Sequence, residues 1–366
     1  MDYDVVIGGG SFAGLAAAVP LRGKRVLIVE PHTIGAVQTS ACGTLLSVLE
    51  ATGTMDSLLQ VHDRILLHLG QHTFEYPMLY SFCTFDYRIF CNRILEQSGV
   101  EVLRASVLGH RGYEVITTCG VVNAGILIDA TGWRAALAAD SRQQTKPHGG
   151  KSFGLETTIP VSGNGLHFYY EPRHLHPFTI GWLFPIGKYS RAGIGSYLGR
   201  TQLAETLSSF TRNEFGLLPN GKHGGYFPHR RRPAFTSDVF RIGDAAGQCI
   251  PLTGEGIRPA LYFGTMAGCL AQRVLNNEIS LPDALREYGK FVEKHAQLYR
   301  YLLVVQKVLP RLSMVWIERV ARRVQRPDVL DPLLRWYWKM VDPGTLARLW
   351  PGRLDNMEMS PLAKLQ

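Results

Sequence analysis

None of the six cysteines (Cys42, Cys83, Cys91, Cys119, Cys249 and Cys269) stands in a CxxC pair. Scattered in this way they offer neither metal-ligand spacing nor a disulfide framework, so no metal and a reducing compartment are expected. Long apolar runs are missing as well: Arg or Lys interrupts each one well short of the ~20 residues that a membrane span needs. No basic leader comes before the first strand, which begins directly after Met1-Asp2, and a cytoplasmic location without a secretory signal is the expectation. Internal repeats and low-complexity tracts are absent too. Charged residues make up only 19% of the 366, and hydrophobic ones 46%, the balance of a globular chain with room for two domains. Acids are outnumbered, leaving a net charge of +9. That excess points to an anionic partner or surface and says nothing about fold; nucleic acid is not among the partners expected.

What the chain does have is two bare turns. The first is "DVVIGGGSFAGLAAA", a short apolar run, a glycine cluster and a small-residue helix, followed by the strand "KRVLIVE". Strand, tight turn, helix and a second strand ending in an acid form the βαβ pattern that receives a dinucleotide pyrophosphate on a helix N-terminus. Counting from Asp4 puts the fingerprint on Gly9, Ser11 and Gly14; a second register would use Gly8, Gly10 and Ala13. Glu30 closes the second strand, where a carboxylate accepts hydrogen bonds from an adenosine ribose and repels a 2′-phosphate.

The second is "RIGDAAGQCIPLTGEGIRPAL". Gly243 and Asp244 end a strand, placing a carboxylate where a polyol chain can donate to it. Pro251, Gly254, Gly256 and Ile257 then open a helix from about Gly256 to Leu275, whose N-terminus favours negative charge. A planar ring that gathers charge on reduction, a flavin, would lie against such a loop.

Between these turns the pattern changes. Residues 100–132 alternate as short strands, and 150–235 is rich in aromatic strands ("LHFYYEP", "FTIGWLFPI", "RAGIGSYLG"). Beyond Pro282 the chain reads as helices, with Pro310 and Pro332 expected to break them into short pieces. The expected architecture is α/β: a Rossmann-like FAD-binding domain in three parts (1–75, 84–149 and 235–278), an inserted antiparallel β-sheet substrate domain (150–234) and a helical C-terminal cap (279–366).

Together the motifs resemble the geranylgeranyl reductase family of FAD-dependent oxidoreductases, within the glutathione-reductase-like flavoproteins. "GDAAGQCIPLTGEGI" is the most specific match; the resemblance implies that Asp244 binds the ribityl chain and that Pro251 to Ile257 contacts the flavin ring. "ILIDATGWRA", with Gly132, resembles the family's second nucleotide motif, and "SACGT" puts Cys42-Gly43 where members often carry Cys-Gly near flavin and substrate. "GWLFPIG" resembles an aromatic signature through Trp182, Phe184 and Pro185, although Ile180 stands where that signature starts with Tyr, and Ser11 replaces a glycine. Arg88 is assigned to the FAD phosphates or adenosine by analogy.

The resemblance implies hydride delivery from reduced FAD to a carbon–carbon double bond of an isoprenoid or other bulky apolar molecule. Tyr169, Trp182, Phe184 and Pro185 are candidates for the substrate channel, limited to those of one strand parity. Cys42 and Glu255 are the catalytic candidates for the proton, each with a plainer role open: an inert buried thiol, and a tie within the loop. The electron donor, NAD(P)H or ferredoxin, is left open. Two other functions stay in view, a flavin monooxygenase or halogenase acting on an aromatic and a non-catalytic prenyl-lipid binder. "GDAAG" argues against the usual hydroxylases, which carry His where Gly247 sits, and the intact Asp244 loop argues against the bare binder. His174 and His176 are read as solvated and Arg230-Arg231-Arg232 as a loop able to meet a phosphate or acidic partner. The basic C-terminal helices suit either a cap over the tunnel or peripheral contact with an anionic membrane.

Overall fold

Val5, Val6 and Ile7 are wholly buried, as are Val26–Val29 and most of the Ile126–Asp129 run. Strands buried on both faces belong to a parallel sheet covered on each side. In the computed structural model, which describes residues 1–138, 150–170 and 179–351, these segments lie in the order Val239–Arg241, Gly120–Asp129, Tyr3–Gly8, Val26–Val29, Glu101–Leu103, all parallel. Phe235–Thr236 adds an antiparallel edge, and the hairpin Val107–Arg111/Glu114–Thr117 pairs onto Gly120–Asp129. Register aligns the carboxyl ends: Gly8 is opposite both Val29 and Asp129, and Asp129 is opposite Arg241. From Tyr3–Gly8 the chain steps to one side and later returns on the other, so the crevice beyond Gly8 is the switch point where open α/β sheets hold ligands.

A second sheet of eight strands runs Asn220–Pro228, Lys151–Ile159, Ser190–Ser196, Thr179–Pro185, Leu166–Tyr170, Leu58–Leu69, His72–Phe85, Gly43–Leu45. All its pairings are antiparallel except Leu166–Tyr170 on Leu58–Leu69. This corrects the boundary expected at residue 75. The segment from Gly43 to Phe85 leaves the parallel sheet and supplies three strands of the second one, because its long hairpin pairs by backbone with Leu166–Tyr170. On one face helix Ala204–Phe215 covers Ile159, Leu183 and Ile194 with its own Leu207 and Phe210. His174 and His176 lie outside the described residues.

The C-terminal helices are Leu281–Glu293, Ala296–Val308, Met314–Val324, Pro327–Lys339 and Pro343–Leu349. Pro310 does interrupt, in the 3₁₀ turn Leu309–Arg311, but Pro332 sits inside a helix that continues to Lys339. The missing amide costs that helix one bond, offset by the Leu330, Leu334 and Trp338 stripe, which packs inward.

Two helices fix how the parts meet. Helix Ile257–Leu275 crosses helix Phe12–Ala18 so closely that a Cβ on Gly264 would lie 2.4 Å from the Ala13 carbonyl oxygen, and one on Gly268 2.2 Å from that of Ala17. Two glycines four apart thus meet two alanines four apart, backbone to backbone. Gly268→Ala is expected to push these helices apart and cost about 2–3 kcal/mol, measured as a drop in urea midpoint at unchanged slope.

Candidate functional site

The first turn works through its glycines. Gly9 adopts φ +100°, and a Cβ there would fall 2.2 Å from the Ala130 carbonyl oxygen. Gly14 lets helix Phe12–Ala18 sit on the strand end, since its Cβ would be 1.9 Å from the Gly9 oxygen. The other register's glycines are tight as well, a Cβ on Gly10 falling 2.3 Å from Ile34 Cδ1 and one on Gly8 2.8 Å from Thr131 Cγ2. Ser11 caps the helix by position and shares a 3.0 Å hydrogen bond with the Tyr87 hydroxyl. Glu30 folds back onto the turn, accepting the Gly10 amide at 2.9 Å and the His32 amide at 3.1 Å. A carboxylate has lone pairs enough to hold the turn and still accept hydroxyls. Arg88 is exposed in the first turn of helix Tyr87–Ser98, its backbone against Gly35 in the loop that follows Glu30.

Across the crevice, Gly132 and Gly243 both take left-handed backbone, at φ +72° and +57°. A Cβ on Gly132 would touch nothing within 4 Å. Asp244 lies in the 3₁₀ turn Gly243–Ala246 and is half-buried; its carboxylate has no hydrogen-bond partner among the described residues. Burial pushes its pKa up to about 7, against the pull of Arg232. Arg232 bridges the 3₁₀ turns Gly132–Arg134 and Gly243–Ala246, donating to the Ala245 carbonyl at 3.3 Å and the Trp133 carbonyl at 2.9 Å.

The loop beyond is braced from every side. Gln248 accepts the Gly243 amide at 2.7 Å and donates to Tyr288. Tyr197 and Gln306 hold Leu252 by its carbonyl and amide, at 2.6 and 2.7 Å. Pro251 and Ile257 are buried at its ends, while Gly254 is exposed, facing Phe227 of the second sheet. Gly256 is the N-cap of the long helix, whose first amides have no partner within the helix.

The second sheet turns one face to these loops. Trp182 lies flat across Gly193, whose Cβ would penetrate its ring at 2.2 Å, with Gly154 and Gly195 beside it. Phe184 packs against Phe168 and against Gly43, next to Cys42. Cys42 is buried at φ +51°, its thiol donating to the Ser40 carbonyl at 3.3 Å. Burial pushes the thiol far up, so it keeps its proton. A buried polar cluster runs through this face. Glu156 accepts the Trp182 indole N–H at 2.8 Å and pairs with His223 at 3.0 Å, while Arg191 donates to the Ala41 and Phe85 carbonyls.

Several expectations are corrected here. Tyr169 is opposite Gly181, so it shares the reverse face with Leu183, stacked on His68 at 4.3 Å and covered by Phe210. It cannot line the channel with Trp182 and Phe184. Pro185, of the same parity as Leu183, turns its ring toward Gly163. Glu255 is no free acid: its carboxylate is forked by Arg258 at 2.6 and 2.8 Å and accepts from Tyr337 at 2.6 Å. It is the loop's tie. Of the three arginines, only Arg230 is exposed and unpaired; Arg231 pairs with Glu293, and Arg232 is half-buried with its guanidinium on backbone carbonyls. Arg258, Glu156, His223 and Arg191 were missed. The i, i+3 spacing of Glu255 and Arg258 was a signal; the others come from separate strands and left none.

No family model matches the chain. It is 29% identical over 168 residues to the digeranylgeranylglycerophospholipid reductase of Methanocaldococcus jannaschii, covering 43% of this chain and 42% of the relative. The chain thus spans less than half the length of that relative. Against digeranylgeranylglycerophospholipid reductase 2 of Methanothermobacter thermautotrophicus it is 26% identical over 339 residues, 82% of this chain and 84% of the relative. Among solved structures, a geranylgeranyl bacteriochlorophyll reductase-like protein from Thermoplasma acidophilum superposes with a TM-score of 0.80 at 18% identity, covering 95% of this chain and 98% of the other. A flavin-dependent brominase gives 0.67 at 16%, over 94% and 93%. At these identities the two structures show the fold alone. Most of the chain aligns with the Methanothermobacter reductase at 26% identity and nearly all of it follows the Thermoplasma fold, so over most of its length the chain is similar to proteins named as geranylgeranyl reductases.

Proposed function

We propose that this chain holds FAD between its two turns and reduces carbon–carbon double bonds of an isoprenoid lipid. Asp244 carries the reading: a half-buried carboxylate without a partner, between two left-handed glycines, fits a polyol chain that would donate to it. The bare Gly9 turn on a helix N-terminus fits a pyrophosphate, and Glu30 a ribose. Support for the substrate class comes from the relatives' name.

When bound, a reduced flavin supplies a hydride to a carbon in van der Waals reach. The chain's own residues would do the rest. Trp182, Phe184 and Phe168 offer an apolar wall that excludes water, and the glycine bed under Trp182 fixes its indole while Glu156 holds its N–H. Cys42 presents a neutral S–H beside that wall, and Glu255 with Arg258 keeps the second loop in shape.

The purified protein is expected to be yellow, with absorbance near ~450 nm and FAD released in stoichiometric amount. Under anaerobic conditions, after reduction by NADPH or reduced ferredoxin, it should saturate a geranylgeranyl lipid, with the product's mass rising by two hydrogens for each bond. A colourless protein that refuses FAD would sink the reading. Oxygen-dependent turnover of an aromatic, with none of the lipid, would favour a monooxygenase instead.

Asp244→Asn separates binding from stability. Because Asp244 is raised, the folded chain keeps a proton that the unfolded chain releases, so flavin-free protein loses stability as pH climbs from the ordinary carboxylate range to about 7. The variant should remove that slope and melt higher at pH above 7, yet retain FAD at least about tenfold less well. Paired melting curves and flavin titrations at two pH values check both signs.

A further inference from the structure

Helix Ala296–Val308 has two working faces. Its inner face holds the second turn, with Tyr299 donating to the Gln248 carbonyl and Gln306 accepting the Leu252 amide. Its outer face carries Tyr301, Val304, Val305 and Val308 at i, i+3, i+4 and i+7, between 43% and 58% exposed. An apolar stripe at helical spacing ordinarily packs against something, and the rest of the described chain leaves this one uncovered. After the turn at Leu309–Arg311 the next helix also exposes Trp316, at 58%, and Val320, at 51%; the Arg319 guanidinium lies 5.3 Å over the Trp316 ring.

Charge says what covers it. Between residues 296 and 340 nine lysines and arginines stand against three acids, so this short stretch holds much of the chain's positive excess. Arg319, Arg322 and Arg323 are exposed without an ion pair to a carboxylate. No helix among the described residues is long and apolar enough to cross a membrane. Apolar and indole groups ringed by unpaired arginines are the chemistry of a helix lying in a lipid interface.

We propose that the outer face of helices Ala296–Val308 and Met314–Val324 docks on the surface of an anionic lipid bilayer. Of the two helices that would rest on lipid, Ala296–Val308 grips the second turn by its inner face, while Met314–Val324 packs Ile317 and Ala321 against the hairpin Leu58–Phe85. The inference draws its sense from the lipid-substrate reading, but its test uses neither flavin nor turnover, so either can fail alone.

Full-length protein is sedimented with vesicles of phosphatidylcholine, and with vesicles carrying about a quarter phosphatidylglycerol. Binding to the anionic vesicles is expected to be at least about tenfold tighter and to weaken with salt. The double variant Val304→Ser/Trp316→Ser and the charge variant Arg319→Glu/Arg323→Glu should each lower that binding about tenfold at unchanged melting temperature. The charge pair is wholly at the surface, so it reports even if the apolar variant melts early. Equal or absent binding to both vesicles overturns the proposal. So does a dimer in sedimentation equilibrium that Val304→Ser/Trp316→Ser dissolves, which would make a second copy the occupant.

Discussion

The guanidinium of Arg258 is completely buried, and much of the molecule is arranged to keep it so. A buried charge is tolerated only when it is paired and its donors are spoken for. Glu255 supplies the fork, the Met340 and Val341 carbonyls both accept from Nη1, and the rings of Tyr337 and Trp338 lie near it. Those partners come from the second turn, the start of the long helix and the C-terminal helices. One ion pair therefore sets the shape of the loop and anchors the helical region to it. Removing either partner leaves the other as an unpaired charge in the interior, which is why the pair cannot be traded away piecemeal.

From that anchor the long helix runs back over the parallel sheet, and its glycines set how near it lies. Gly264 and Gly268 against Ala13 and Ala17 bring the helix that follows the second turn onto the helix that follows the first. At these glycines the two helices that follow the turns approach backbone to backbone, with no side chain between them there. A ligand spanning both would meet a rigid seat.

Both turns were legible in the sequence because each is a local device: a strand, residues without a Cβ, and a helix, all within about twenty residues. Sheet membership was not. The hairpin from Leu58 to Phe85 alternates and turns at Gly70-Gln71, so its strands could be read, but nothing local says that they pair with Leu166–Tyr170. Parity set another limit. Tyr169 and Trp182 look alike as neighbours in aromatic strands, and only the Phe168–Trp182 register separates the loop-facing set from the helix-covered one. The Glu156, His223 and Trp182 cluster needs three strands at once, and no spacing in the chain encodes it. Arg258 was within reach, three residues after Glu255 on a helix start, but a buried arginine reads like a surface one until its surroundings are known.

Some of the costs in this structure fall at the site. Of the six non-glycine residues with left-handed backbone among those described, Cys42, Ala135 and Leu252 border the crevice, at φ +51°, +50° and +70°. Each such residue costs on the order of 1 kcal/mol or more. Nearby, the buried Thr44 hydroxyl finds no partner and the Asp244 carboxylate is unpaired. Elsewhere in the parallel sheet the strands are ordinary, with wholly buried aliphatic residues. On the second turn itself, the left-handed backbone of Leu252 and a carboxylate of Asp244 with no hydrogen-bond partner among the described residues suit a seat whose occupant binds only the folded chain and returns stability by mass action. The physical reading of the site and the thermodynamic one then agree at Asp244, whose carboxylate is left without a partner by packing within the described chain.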